Sequence, residues 1–262
     1  MRSTRTRLVV AVMLSVMLLS GAGCGRREAK TVSGEGEVDD YHMITVASAS
    51  SMKPALEQIA KDFKDKTGDQ AQLVLGSSGL LARQIENGAP FDVYISANRE
   101  YIDDLVEKDL VIKAEPYAGG VIVLIGKAAG LEELKEPAVR AVAIANPRSA
   151  PYGAAAQEAL ENAGVFKDIE GKLVVSENVA QVYDFVKTGN TDAGIVAFSL
   201  VKGTKMDYSR IDRKLYKPIE QWAGIVGRSE TTPTARVFID YLRSKPVRVL
   251  LEEYGFDPVE TK

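Results

Sequence analysis

Short apolar runs alternate along most of this chain with stretches whose apolar positions recur every three or four residues. The first pattern marks buried strands and the second amphipathic helices. Strands are predicted at residues 44–47, 71–75, 91–95, 121–125, 141–145, 172–175 and 193–198. One helix is predicted where Met52, Leu56, Ile59, Ala60 and Phe63 share a face. Another is predicted where Leu80, Leu81 and Ile85 do, ended by Asn87-Gly88 with Pro90 beyond. Further helices are predicted at 98–108, 154–163, 180–188, 234–244 and 246–254. This alternation implies α/β layers with mostly parallel sheets flanked by helices. Long strands near 117–127 and 217–228 break the rhythm and read as crossovers between two lobes. Lobe one is then 43–120 plus 222–262, lobe two is 121–221, and a ligand cleft lies between them.

The N-terminal pattern differs. Arg2, Arg5 and Arg7 precede an apolar run at 8–19 and then Ser20-Gly21-Ala22-Gly23. Residues 1–23 read as a signal peptide, because the apolar run is too short for a permanent membrane span. Cys24, the only cysteine, lies where a bacterial lipoprotein carries its lipidated cysteine, although Gly21 stands where Leu is usual. The alternative is a plain secreted protein. Residues 24–42 then form a lipidated anchor and flexible tether, rich in Gly, Glu and Asp. The protein is expected outside the cytoplasm, at the cell surface or in a periplasm, held to the membrane by lipid.

Charge and rare residues narrow the chemistry. Removing Arg2, Arg5 and Arg7 turns 33 basic against 36 acidic side chains into 30 against 36, a net charge of −6. No basic stripe with interleaved aromatics is present, which argues against a nucleic-acid partner. The single histidine, His42, falls in the tether, so Ser-His-Asp and Cys-His catalysis and His/Cys zinc sites are unavailable to the folded part. No cofactor and no directly ligated metal cation are expected, and a monomer is.

The loop Gly76-Ser77-Ser78-Gly79 joins a strand to a helix start, the position at which α/β proteins bind anions. Three other helix starts could face the same cleft, after Ser50-Ser51, Tyr152-Gly153 and Asn178-Val179. Each offers free backbone N–H groups and the positive end of a helix dipole, about half a charge. Taken singly, each serine fits an ordinary N-cap and Tyr152 an ordinary packing residue. Asp92 is expected to bond loop backbone near the cleft, and Glu177 to be solvated.

The set resembles the molybdate-binding proteins of ABC transporters, the ModA type, across nearly all of residues 43–257. The resemblance is carried by Ser48-Ala49-Ser50, by Gly76-Ser77-Ser78-Gly79 with Leu81-Ala82-Arg83-Gln84-Ile85, and by Gly88-Ala89-Pro90 with Asp92-Val93-Tyr94-Ile95-Ser96-Ala97. Asn146-Pro147 with Ala150-Pro151-Tyr152-Gly153, Gly194-Ile195-Val196-Ala197 and Tyr254-Gly255-Phe256 complete it. It implies the two-lobed periplasmic-binding fold, with molybdate or tungstate as ligand, bound without a cationic side chain. It also implies an ABC permease as partner. By resemblance, hydroxyl contacts fall on Ser50, with Ser51 beside it, and on Ser78, while the backbone N–H groups of Tyr152 and Val179 donate from the second lobe. Some members carry a ligand-contacting Tyr after Gly-Ile-Val where this chain has Ala197, and Ser51 is the candidate replacement donor. A binding protein for another oxyanion or a small organic anion stays open as the alternative. An enzyme using carboxylates such as Asp92 and Asp192 has nothing further in the sequence to support it.

Overall fold

The structure is a computed structural model that describes residues 42–227 and 233–259. Residues 1–23, expected to be a signal peptide, and Cys24 lie outside the described residues. The chain runs β1 (Met43–Ala49), α1 (Lys53–Thr67), β2 (Gln70–Gly76), α2 (Ser78–Glu86), β3 (Val93–Ser96), α3 (Arg99–Glu107) and β4 (Val111–Gly120). It continues through β5 (Ile122–Gly126), β6 (Val142–Ala145), α4 (Pro151–Asn162), α5 (Phe166–Ile169), β7 (Leu173–Ser176), α6 (Val179–Lys187), β8 (Ala193–Ala197) and β9 (Tyr208–Arg210). It ends with β10 (Ile219–Val226), α7 (Pro233–Leu242) and α8 (Lys245–Glu253).

Two five-stranded sheets result, in the orders β2-β1-β3-β10-β4 and β7-β6-β8-β5-β9. In the first, β1 runs parallel to β2 and β3, while β10 is antiparallel to β3 and β4. The second repeats this plan: β6 is parallel to β7 and β8, and β5 is antiparallel to β8 and β9. Helices cover both sheets, giving the expected two-lobed α/β fold.

The first sheet is packed on both sides. One side buries Ile44, Val46, Leu56, Ile59 and Phe63 against Phe238 and Leu242, with the Phe63 and Phe238 rings edge to face at 5.1 Å. The other buries Leu81, Ile85, Tyr94, Ile102 and Leu105. The second lobe has its own core of Ile122, Leu124, Ile144, Leu160, Val182 and Ile195. Strands covered on both sides read as continuous apolar runs, which is why they were legible.

Three elements depart from the sequence reading. The single long strand expected near 117–127 is two strands in different sheets, parted at Val121. The first of them, β4, begins at Val111 and was not anticipated, because Pro116, Gly119 and Gly120 obscure its pattern. An edge position tolerates such residues, and β4 is an edge. The three-residue β9 and the single-turn α5 are too short for periodicity to reveal. His42, assigned to the tether, belongs to the fold: its carbonyl accepts the Gln70 N–H at 2.8 Å and its own N–H donates to Asp69 Oδ1 at 2.9 Å.

Candidate functional site

The parallel strands of each sheet end in loops that open helices, and four such openings converge. β1 leads into a short 3-10 turn, Ser50–Met52, before α1, and β2 leads through Ser77 into α2. From the other lobe, β6 leads through the turn 146–150 into α4, and β7 leads through Asn178 into α6. Between them is a small cavity. Ser50, Ser51, Ser77 and Ser78 line it on one side, and Tyr152 and Val179 on the other. The cavity is narrow, with no room for an extended ligand. No charged side chain lines it among the described residues.

Each opening leaves donors unspent. In α6 the Asn178 side chain accepts the N–H groups of Ala180 and Gln181, at 3.1 and 3.2 Å, so the cap does not use the Val179 N–H. In α4 the first helical residue is Pro151, which has no N–H, and Tyr152 therefore supplies the first amide of that helix. Gly153 allows α4 to start this close to β6, since a Cβ there would lie 2.2 Å from the Ala145 carbonyl oxygen. Ser77 occupies the N-cap position of α2, yet its side chain caps nothing, and its buried hydroxyl has no partner among the described residues.

The serine hydroxyls are polarised toward donation. A hydroxyl carries one proton and two acceptor sites. Ser78 Oγ is fully buried and accepts the Ala97 N–H at 3.0 Å, which leaves its proton free for the cavity. The Ser78 carbonyl accepts the Tyr94 phenol at 2.8 Å, fixing the turn from below. Ser50 Oγ accepts the Ala180 N–H from the opposite lobe at 3.3 Å, and its proton is likewise uncommitted. Ser51 Oγ is buried without a hydrogen bond of standard geometry among the described residues. Burial pushes the Tyr152 phenol well above the usual tyrosine range, against a smaller downward pull from the adjacent Ser51 hydroxyl. The cavity thus presents neutral donors from hydroxyls and helix amides, with no group in its wall that titrates near neutrality. Donors of this kind can hold an anion that stays ionised.

Hydrogen bonds behind the cavity tie the two lobes together. The Gly79 N–H donates to the Ser149 carbonyl at 2.8 Å, and Ser199 Oγ donates to the Ser51 carbonyl at 2.7 Å. A Cβ on Gly79 would lie 3.0 Å from the Ser149 oxygen and 2.8 Å from the Tyr101 ring, so glycine lets the lobes meet here.

All five residues singled out from the sequence, Ser50, Ser51, Ser78, Tyr152 and Val179, border this one cavity. Ser77 was missed as a lining residue. The doublet Ser77-Ser78 carried the signal, but sequence does not say which hydroxyl caps and which faces inward. Ala197 is fully buried at the end of β8 and does not line the cavity. Glu177 is exposed, as expected. Asp92 does bond backbone, its carboxylate accepting the Thr45 N–H at 2.6 Å, but not near the cleft. It precedes β3, whereas the cavity lies beyond the other end of that strand. Asp192 does the same in the second lobe, accepting from the N–H groups of Arg140 and Ala141 at 2.9 and 3.3 Å and from Lys127 Nζ at 2.5 Å. Those bonds, the one from Lys127 foremost, hold its carboxyl down at about 2.

Comparison with known proteins agrees with this architecture. The family model for bacterial extracellular solute-binding proteins matches residues 44–257. The molybdate-binding protein ModA of Rhodobacter capsulatus is 34% identical over 221 residues, 82% of this chain and 87% of that protein. A putative ABC transporter substrate-binding lipoprotein of Bacillus subtilis, YvgL, is 31% identical over 262 residues, 95% of this chain and 96% of that protein. The structure of the Azotobacter vinelandii periplasmic molybdate-binding protein superposes with a TM-score of 0.78 at 27% identity, covering 84% of this chain and all of that one. Fold, sequence and the matched span agree: this chain belongs to the bacterial extracellular solute-binding protein family, as a member of its ModA type.

Proposed function

We propose that this protein captures molybdate or tungstate outside the cytoplasm and delivers it to an ABC permease, tethered to the membrane through a lipid on Cys24. The observation that carries the reading is the cavity itself, where serine hydroxyls and helix amides from both lobes converge with no charged side chain in the wall. A tetrahedral dianion must exchange its hydration for directed donors, and neutral donors match an anion that keeps both charges at neutral pH. A protonated oxyanion would need an acceptor for its proton, and the cavity wall offers no carboxylate. Binding between the lobes favours the joined arrangement in proportion to the anion's preference for it. The names of the ModA relatives support the ligand, and the name of the Bacillus lipoprotein supports the anchor and the transporter partner. Ser50, Ser51 and Ser78 supply hydroxyls and Tyr152 and Val179 supply amides in this reading. The protein acts by binding and release and not as an enzyme.

Calorimetric titration of the mature chain with molybdate, tungstate and sulfate tests the ligand. Molybdate and tungstate are expected to bind far more tightly than sulfate. Sulfate binding as tightly as molybdate would overturn the specificity.

A further inference from the structure

The hydroxyls of Ser78 and Ser50 are turned toward the cavity by backbone amides, but no amide does this for Ser51. The groups behind Ser51 suggest what does. Gln221 lies in β10, fully buried, and its Nε2 donates to the Tyr152 phenol oxygen at 3.2 Å. Its Oε1 has no partner among the described residues, and neither has the buried Tyr117 hydroxyl on β4. The phenol is pressed against the crossover backbone, since a Cβ on Gly120 would lie 2.3 Å from Tyr152 Oη. A buried glutamine with half its hydrogen-bonding capacity unused is costly and calls for an explanation.

The direction of the Gln221 bond supplies one. Tyr152 Oη has a single proton, and Gln221 occupies an acceptor site of that oxygen. The proton must therefore point elsewhere. Ser51 Oγ lies beside the phenol in the same cavity wall, buried and otherwise unpartnered. Once Ser51 accepts the Tyr152 proton, its own proton is left for the cavity. With the order reversed, Ser51 would spend its proton on Tyr152 and turn lone pairs toward an anion.

We propose that Gln221 is a positioning residue of the anion site: by donating to Tyr152 it directs the phenol proton to Ser51 and commits the Ser51 hydroxyl as a donor to the bound oxyanion. The inference rests on the oxyanion reading above. It gives the Tyr152 side chain a task separate from that of its backbone amide. It also makes a side-chain relay do for Ser51 what Ala97 and Ala180 amides do for Ser78 and Ser50.

The test is a double-mutant cycle read by calorimetry with molybdate, on wild type, Gln221→Met, Ser51→Ala and the double variant. Methionine keeps the length and volume of glutamine and removes the donor. Gln221→Met is expected to weaken binding about fivefold to tenfold. In the Ser51→Ala background the same substitution is expected to have no further effect, because the relay has lost its end. A purely structural role would cost the same in both backgrounds, and additive losses overturn the proposal. Should Gln221→Met not fold, Tyr152→Phe breaks the relay one bond later and enters the same cycle with the same criteria. Wild type that binds molybdate beside an unaffected Gln221→Met overturns the positioning role alone. Wild type that does not bind molybdate overturns the oxyanion reading and this inference with it.

Discussion

The two lobes share one strand plan but furnish the cavity differently. Matched by topology, β2-β1-β3-β10-β4 corresponds to β7-β6-β8-β5-β9, so the openings of α1 and α2 correspond to those of α4 and α6. Both lobes also anchor the far end of the sheet with an aspartate that accepts backbone N–H groups, Asp92 before β3 and Asp192 before β8. At the cavity the likeness stops. The first lobe places four serines in the wall, whereas the second offers Tyr152 and Val179 with a Pro151 start and an Asn178 cap. One wall is chemically adjustable through its side chains. In the proposed reading the other reaches the ligand through backbone amides, which no substitution removes short of proline. The shared plan belongs to the scaffold, and the differences fall on the residues proposed to recognise the anion.

Substitutions can break this comparison where it is strongest. Ser78→Ala removes a buried hydroxyl whose proton is free for a charged acceptor, a bond worth about 1.5–3 kcal/mol. Molybdate affinity by calorimetry should fall more than about tenfold, and unchanged affinity would remove Ser78 from the site. Asp192→Asn probes the scaffold instead. Its carboxyl is held at about 2 in the fold, below its ordinary value near 4 in an unfolded chain. The stabilisation is therefore full above about pH 4 and is lost as pH falls toward about 2. Thermal unfolding of wild type and Asp192→Asn should differ at neutral pH and converge in acid, with anion affinity alike in both. A loss of affinity without loss of stability would place this carboxylate in the working site. The smallest effect is expected at Val179→Ala, where the amide proposed to contact the anion survives. Affinity should stay within about twofold of wild type, and a larger drop would mean that the second lobe recognises its ligand through side chains after all.

Much of this was legible without coordinates because the signals are local. The run 93–95 is apolar since β3 is covered on both sides. Asn98 and Asn178 were recognisable as helix starts because capping depends on residues two or three positions away. β4 was not legible, since an edge strand with Pro116 and a register shift opposite β10 has no clean alternation. Nor was the place of Asp92, because a carboxylate that bonds backbone reads the same at either end of a strand.

By itself, then, the sequence determined the alternation of strands and helices and the four amide-rich helix openings. These follow from periodicity, capping and composition, which act over one or two turns of chain. Only the tertiary structure decided which hydroxyls are polarised and by what. Ser50 meets the Ala180 amide across 130 residues, and Gln221 meets Tyr152 across 69. A hydroxyl donates or accepts according to its neighbours, and here those neighbours are supplied by the folding of two lobes against one another.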